Sequence, residues 1–253
     1  MKLLAELRKR NALLFWFGLY NFTGAIVCLV LMFIDNTQIL GINGWIKPFK
    51  FFASVGLMVW TMGWLMYYLD NQKKVILYSL LLTISMFFEN ALIFLQSARA
   101  TTSHFNIGTV TDIIIFNLMG IFILLFTIAA VLIIIAFFRQ KTFSIPKQYL
   151  WSIRLGLIFF LFFSIEGGFM LSISKHTVGA PDGGPGLPLV NWSTQYGDLR
   201  IAHFIGIHAL QLLPLFGYYI AKNTRQVQWF AGVYFIFTMF LLITALKGIS
   251  LFV

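Results

Sequence analysis

Seven stretches of this chain are each long and apolar enough to cross a bilayer: residues 12–34, 47–69, 75–97, 110–138, 155–174, 199–220 and 229–253. A spanning helix needs about 20 predominantly apolar residues, because about 30 Å of hydrocarbon is crossed at about 1.5 Å per residue. The expected fold class is all-α: a polytopic membrane protein, a seven-helix transmembrane bundle forming a single transmembrane domain over residues 1–253.

Composition supports this. Residues are 60% hydrophobic and 10% charged, where soluble domains carry about a quarter charged. Seven spans leave no room for a soluble domain. The net charge of +10 does not point to nucleic acid, because the basic residues flank apolar runs and form no continuous patch. The single cysteine, Cys28, excludes an internal disulfide and any multi-cysteine metal site. The opening Met1–Arg10 segment precedes an apolar run too long for a signal-peptide core, so that run reads as a retained first helix.

The basic residues also set an orientation. One set of span ends holds twelve: Lys2, Arg8, Lys9, Arg10, Lys73, Lys74, Arg139, Lys141, Lys147, Arg154, Lys222 and Arg225. The other holds six: Lys47, Lys50, Arg99, Lys175, Arg200 and Lys247. By the positive-inside rule the N-terminus is cytoplasmic and the C-terminus extracytoplasmic. The expected location is the cell membrane, the inner membrane if the source is bacterial. The longest outer connection, residues 175–198, contains Pro181-Asp-Gly-Gly-Pro-Gly-Leu-Pro188. That density of Gly and Pro predicts successive turns, in either a lid or a solvated linker.

Within the apolar runs, Glu89 and Glu166 stand out. A carboxylate at membrane depth costs several kcal/mol and persists only if paired, protonated or facing water. Each lies about 12 Å from the outer end of its span. His208 and Asn117 sit at similar depth, so four spans place a polar group in one layer of the outer half. His203, His208, Arg200 and Gln211 share an arc of the sixth span at about 100° per residue. Lys47, Lys50, Arg99 and Arg200 lie higher, near the outer mouth, and Lys247 about 9 Å in. The expected site is a polar cavity opening outward, basic at its rim and acidic at its floor.

Catalytic candidates are Glu89 and Glu166 as acid or base, with His208 and His203 as proton-transfer partners. Binding candidates are Arg200, Lys47 and Lys50, suited to a phosphate or carboxylate, with Asn117, Gln211 and Lys247. A metal is not expected. The two histidines of the sixth span are five residues apart, not the four that stacks ligands on one helical face. Matched axial histidines for haem are lacking, His104 and His176 falling in outer loops, and the sequence names no other cofactor. Walker, dinucleotide, nucleophile-elbow and zincin motifs are absent.

A faint internal repeat accompanies the acids. Glu89 is followed by Asp112, Ile115, Asn117 and Gly120; Glu166 is followed by Asp198, Ile201, His203 and Gly206, with the same spacing after each Asp. Three functional classes remain. The first is a membrane-embedded enzyme acting on a lipid, quinone or small molecule. The second is a proton-coupled transporter or ligand sensor; the third is a structural subunit of a membrane complex. Partners common to all three are membrane lipids, with a small-molecule or lipid ligand in the first two. Oligomeric state is not encoded in any of these features.

Overall fold

A computed structural model describes residues 2–252. The protein is all-α, with seven helices long and apolar enough to span a membrane. A short amphipathic helix α1 (Lys2–Arg10) leads into α2 (Ala12–Ile34), α3 (Ile46–Met66), α4 (Gln72–Ala98), α5 (Val110–Arg139) and α6 (Lys147–Ile173). The sixth span is divided into α7 (Leu199–Ile207) and α8 (Ala209–Tyr219), and α9 (Thr224–Leu246) is the seventh. Two antiparallel strand pairs lie in the connections: β1 (Gln38–Ile39) with β2 (Ile42–Asn43), and β3 (Thr177–Val178) with β4 (Gly197–Asp198).

Side-chain caps set several helix starts. Asn11 accepts from the Leu14 amide, Asn71 from Lys74, Asp198 from Arg200 and Asn223 from Gln226, satisfying amides that have no partner in the first turn. Three ends differ by more than three residues from the hydropathy reading, one of them the start of α9 at Thr224 rather than 229. Helix α6 begins at Lys147 rather than 155, because a helix continues through polar residues after its apolar run has ended. Helix α9 stops at Leu246 rather than 253. Gly248 turns the chain at φ +73°, and the Ser250 hydroxyl donates to the Thr194 carbonyl at 2.9 Å.

The chain forms two compact units, one up to Ala136 and one from Phe137 on. In the first, α2 and α3 pack closely because each offers glycines to the other's aromatics. Gly18 faces Trp60, Gly24 faces Phe52 and Gly56 faces Phe22, the small-residue packing that lets helices approach in an apolar medium. Asparagines tie α4 to this pair. Asn11 donates to Ser79 at 2.7 Å, and Asn90 donates to Asn21 at 2.6 Å, all four residues being buried. Arg10 lies over the Trp64 ring at 3.9 Å and donates to the Tyr68 hydroxyl. Helix α5 meets α4 through Ile93, Ile115 and Met119, and through the Phe88–Phe122 stack.

In the second unit, α6 packs along both halves of the broken span. Gly156 admits the Ala209 carbonyl, Gly206 admits the Phe163 ring and Gly217 admits Ser152. Helix α9 closes the unit through Leu241, Leu242 and Ala245. Its opposite face, Trp229, Val233, Ile236, Phe240 and Ile243, is exposed and almost wholly apolar. That is a surface suited to lipid.

Candidate functional site

Each unit buries one carboxylate beside one imidazole. In the first, Glu89 projects from α4 and is 1% exposed. Helix α3 supplies Lys47 from its first turn, where Pro48 costs no hydrogen bond. Residues 99–109 fold back over this point. Asn106 donates to Thr101 and Thr102 and accepts from the Gly108 amide, which fixes the bend. The bend brings His104 down. Its Nδ1 lies 3.2 Å from Lys47 Nζ and 3.0 Å from Ser103 Oγ, and its Nε2 lies 3.8 Å from Glu89 Oε1. Lys47 is an obligatory donor, so Nδ1 accepts and the ring proton sits on Nε2, facing the acid. Lys47 also acts on Glu89 through space. Neither Glu89 oxygen receives a hydrogen bond.

In the second unit, Glu166 projects from α6 with its side chain 6% exposed. His203 Nδ1 is 3.3 Å from Glu166 Oε2, but the same nitrogen lies 2.7 Å from the Phe163 carbonyl. The shorter, aligned contact takes the proton. The carboxylate is a charge neighbour and not a hydrogen-bond acceptor, and both its oxygens are unpartnered. Gly167 makes the seat for the ring, since a Cβ there would lie 2.6 Å from His203 Cε1.

His208 stands at the break in the sixth span, at φ −73° and ψ −5°. The Tyr234 hydroxyl donates to the neighbouring Ile205 carbonyl, and Pro214 removes an amide from the next turn. His208 Nδ1 lies 3.2 Å from Gln211 Oε1, and its ring meets Phe204 edge-on at 4.4 Å. His203 lies near enough to act on it electrostatically.

The expected basic rim is largely engaged. Arg99 pairs with Asp112 at 2.8 Å. Arg200 Nε donates to Asp198 Oδ1 at 2.9 Å, while its Nη2 donates to Asp198 Oδ2 and the Asn191 carbonyl. Lys47 serves His104, and Lys50 is half-buried on α3. Asn117 is exposed and donates to the Ile113 carbonyl of its own helix at 2.8 Å. Lys247 is exposed at the C-cap of α9. Among the described residues, no three His, Cys, Asp or Glu side chains converge where one metal ion would bind.

Residues 175–198 are a built structure and not a slack linker. Strands β3 and β4 pair, and the buried Asp198 accepts from the Ser193 and Arg200 amides. Thr177, Asp182, Asn191, Gln195, Tyr196 and Arg200 are among the residues lining a cavity of about 330 Å³. Burial pushes the Asp182 carboxyl up, but bonds from the His176 ring and from Thr177 outweigh it and hold the group below the usual carboxylate range. A pKa lowered by folding contributes stability above the unfolded value of about 4, lost as pH falls through the folded one. Hydrogen exchange of this segment, corrected for intrinsic rates, should therefore be alike at about pH 7 and about pH 5 and rise only in stronger acid. Asp182→Asn should show fast exchange throughout; protection that fades between those two values contradicts this assignment.

The chain matches no known protein family, no curated protein and no solved structure.

The residue that sequence reasoning passed over is His104. Its signal was weak: a histidine in a short connection that begins one turn beyond a buried acid's helix. Asn21 and Asn90, a pair of buried amides, hold α2 to α4 one residue along the chain from Glu89.

Proposed function

We propose that the protein carries out acid–base chemistry at buried carboxylate–histidine pairs inside a cell membrane, on a lipid, quinone or other small molecule. One observation carries this reading. Glu89 and Glu166 are both buried with all four carboxylate oxygens unpartnered, and an imidazole lies 3.8 Å from one and 3.3 Å from the other. Buried polar atoms are nearly always satisfied, so a carboxylate left open exchanges protons or awaits a partner from outside the chain. In this reading Glu89 and Glu166 are the acid or base, with His104 as proton partner of the first and His203, close to His208, as partner of the second. Lys47 and Lys50 favour an anionic group in the first unit and Gln211 holds His208 in the second, while Arg200 is committed to Asp198.

Native mass spectrometry of the gently purified protein tests it. The wild type should carry a small molecule that Glu89→Gln and Glu166→Gln release or hold more weakly. Retention of every bound species by both variants overturns the reading.

A proton-coupled transporter is the second reading, favoured by the interruption of the sixth span at His208, since discontinuous helices build transport sites. Proton uptake driven by a solute gradient in proteoliposomes distinguishes the two.

The orientation belongs to the same proposal, with the N-terminus cytoplasmic and residues 175–198 on the far side. It rests on the asymmetry of basic residues. In right-side-out vesicles of a Cys28→Ala background, a membrane-impermeant maleimide should label Gln195→Cys and spare Lys73→Cys. The reverse pattern inverts the topology.

A further inference from the structure

The two carboxylate–histidine pairs are not equivalent, and the difference lies in what the second ring nitrogen does. His203 spends Nδ1 on the Phe163 carbonyl, an acceptor that cannot give a proton back. His104 spends Nδ1 on Lys47 and Ser103, both of which carry exchangeable protons, and turns Nε2 toward Glu89. An imidazole with a donor at one nitrogen and an acceptor at the other can take a proton on one side and release one on the other.

We propose that His104 is a proton relay between the outer loop surface and Glu89, with Lys47 fixing its tautomer and feeding it. The proposal rests on the acid–base reading of Glu89 given above and adds the route by which that acid is charged and discharged.

The step balances as follows. Lys47 Nζ gives a proton to Nδ1 of the neutral ring, leaving a neutral amine and an imidazolium. The imidazolium passes its Nε2 proton to Glu89 Oε1, converting carboxylate to carboxylic acid and leaving the ring protonated at Nδ1. Lys47 takes a proton from water, and the ring returns to the Nε2 tautomer by giving its Nδ1 proton to water and taking one from water at Nε2. The net change is one proton moved from water to Glu89, and the steps reversed discharge it. At 3.8 Å the Nε2–Oε1 pair is open, and a closure of about 1 Å makes the hydrogen bond. The charged and titratable groups that face Glu89 are Lys47 from α3 and His104 from the loop. The next residue on α4, Asn90, is a neutral amide that donates to Asn21 of α2.

Anchoring suits the role. Ser103 is 3% exposed, the bend is fixed by Asn106, and the His104 side chain is 18% exposed. The ring thus reaches water at one edge and the buried acid at the other.

The test is infrared difference spectroscopy of the full-length protein in lipid nanodiscs after a pH jump, reading the carboxylic-acid C=O band that Glu89→Gln removes. The band should respond quickly in the wild type and about tenfold or more slowly in His104→Gln, reaching the same final amplitude. Added imidazole should restore the rate in His104→Gln, which no packing role for the ring explains. Lys47→Gln should slow the response too and serves as the second variant if His104→Gln does not fold. A Glu89 band that responds as fast in folded His104→Gln or Lys47→Gln as in the wild type overturns the relay and leaves the acid–base reading standing. A Glu89 band that never changes between about pH 4 and about pH 9 overturns both.

Discussion

In Glu89→Gln and Glu166→Gln, turnover of the molecule that the protein carries is expected to fall by about 10²- to 10⁴-fold, the usual contribution of a general acid or base. Stability should move the other way. Glutamine keeps the shape of glutamate, exchanges one acceptor oxygen for an NH2 donor, and removes a carboxyl that the protein leaves unpartnered. Replacing an uncompensated buried ionisable group by a neutral isostere removes a desolvation cost. The melting temperature of each variant should thus hold or rise while activity collapses. A structural ion pair behaves oppositely: breaking one from a single side costs about 3–5 kcal/mol. Measured together, turnover and melting separate the two roles, and a variant that melts early with normal turnover assigns its glutamate to scaffolding.

Arg200→Ala gives the large stability effect. Asp198 has a fully buried side chain, and Arg200 is the cation that compensates it through both carboxylate oxygens. Alanine leaves that charge buried with only the Ser193 and Arg200 amides to face it. The expected loss is about 3–5 kcal/mol, read as a lower melting temperature and as rapid hydrogen exchange through residues 175–198. The damage should propagate because the same carboxylate caps α7 and sits in β4, which pairs with β3. Asp198→Asn combined with Arg200→Ala should recover part of the loss, since the uncompensated charge has gone. A single variant as stable as the wild type shows that the pair is not what holds the loop.

These residues also show what a sequence discloses and what it conceals. The seven spans were legible because hydrocarbon leaves no alternative to a long apolar run, and the structure keeps all seven within a few residues at most ends. The early starts of α6 and α9 and the early stop of α9 were missed because hydropathy reports the solvent and not the backbone. The break at His208 was hidden too: its turn is stabilised from another helix by Tyr234. Glu89 and Glu166 were visible as polar atoms in apolar surroundings. Their partners were not. His104 reaches Glu89 only because the loop doubles back, and no helical period encodes that. Arg99 and Arg200 looked like free cations at a mouth, whereas Arg99 pairs with an aspartate in the first turn of the following helix and Arg200 with the N-cap aspartate of its own. Sequence distance alone does not tell a rim charge from half of an ion pair. The strand pairs are two residues per strand, too short for any alternation to show.

The Asn21–Asn90 bond has a consequence for how the chain is made. The two amides are 69 residues apart, and synthesis proceeds at about 5–20 residues per second. Helix α2 therefore waits about 3–14 s for its partner on α4 to emerge. During that interval Asn21 has only the Phe17 carbonyl of its own helix, which it reaches at 2.7 Å. That local bond leaves the Asn21 amide of the newborn helix already satisfied. The arrival of α4 then gives Asn21 a second partner, and one buried bond ties together two helices made seconds apart.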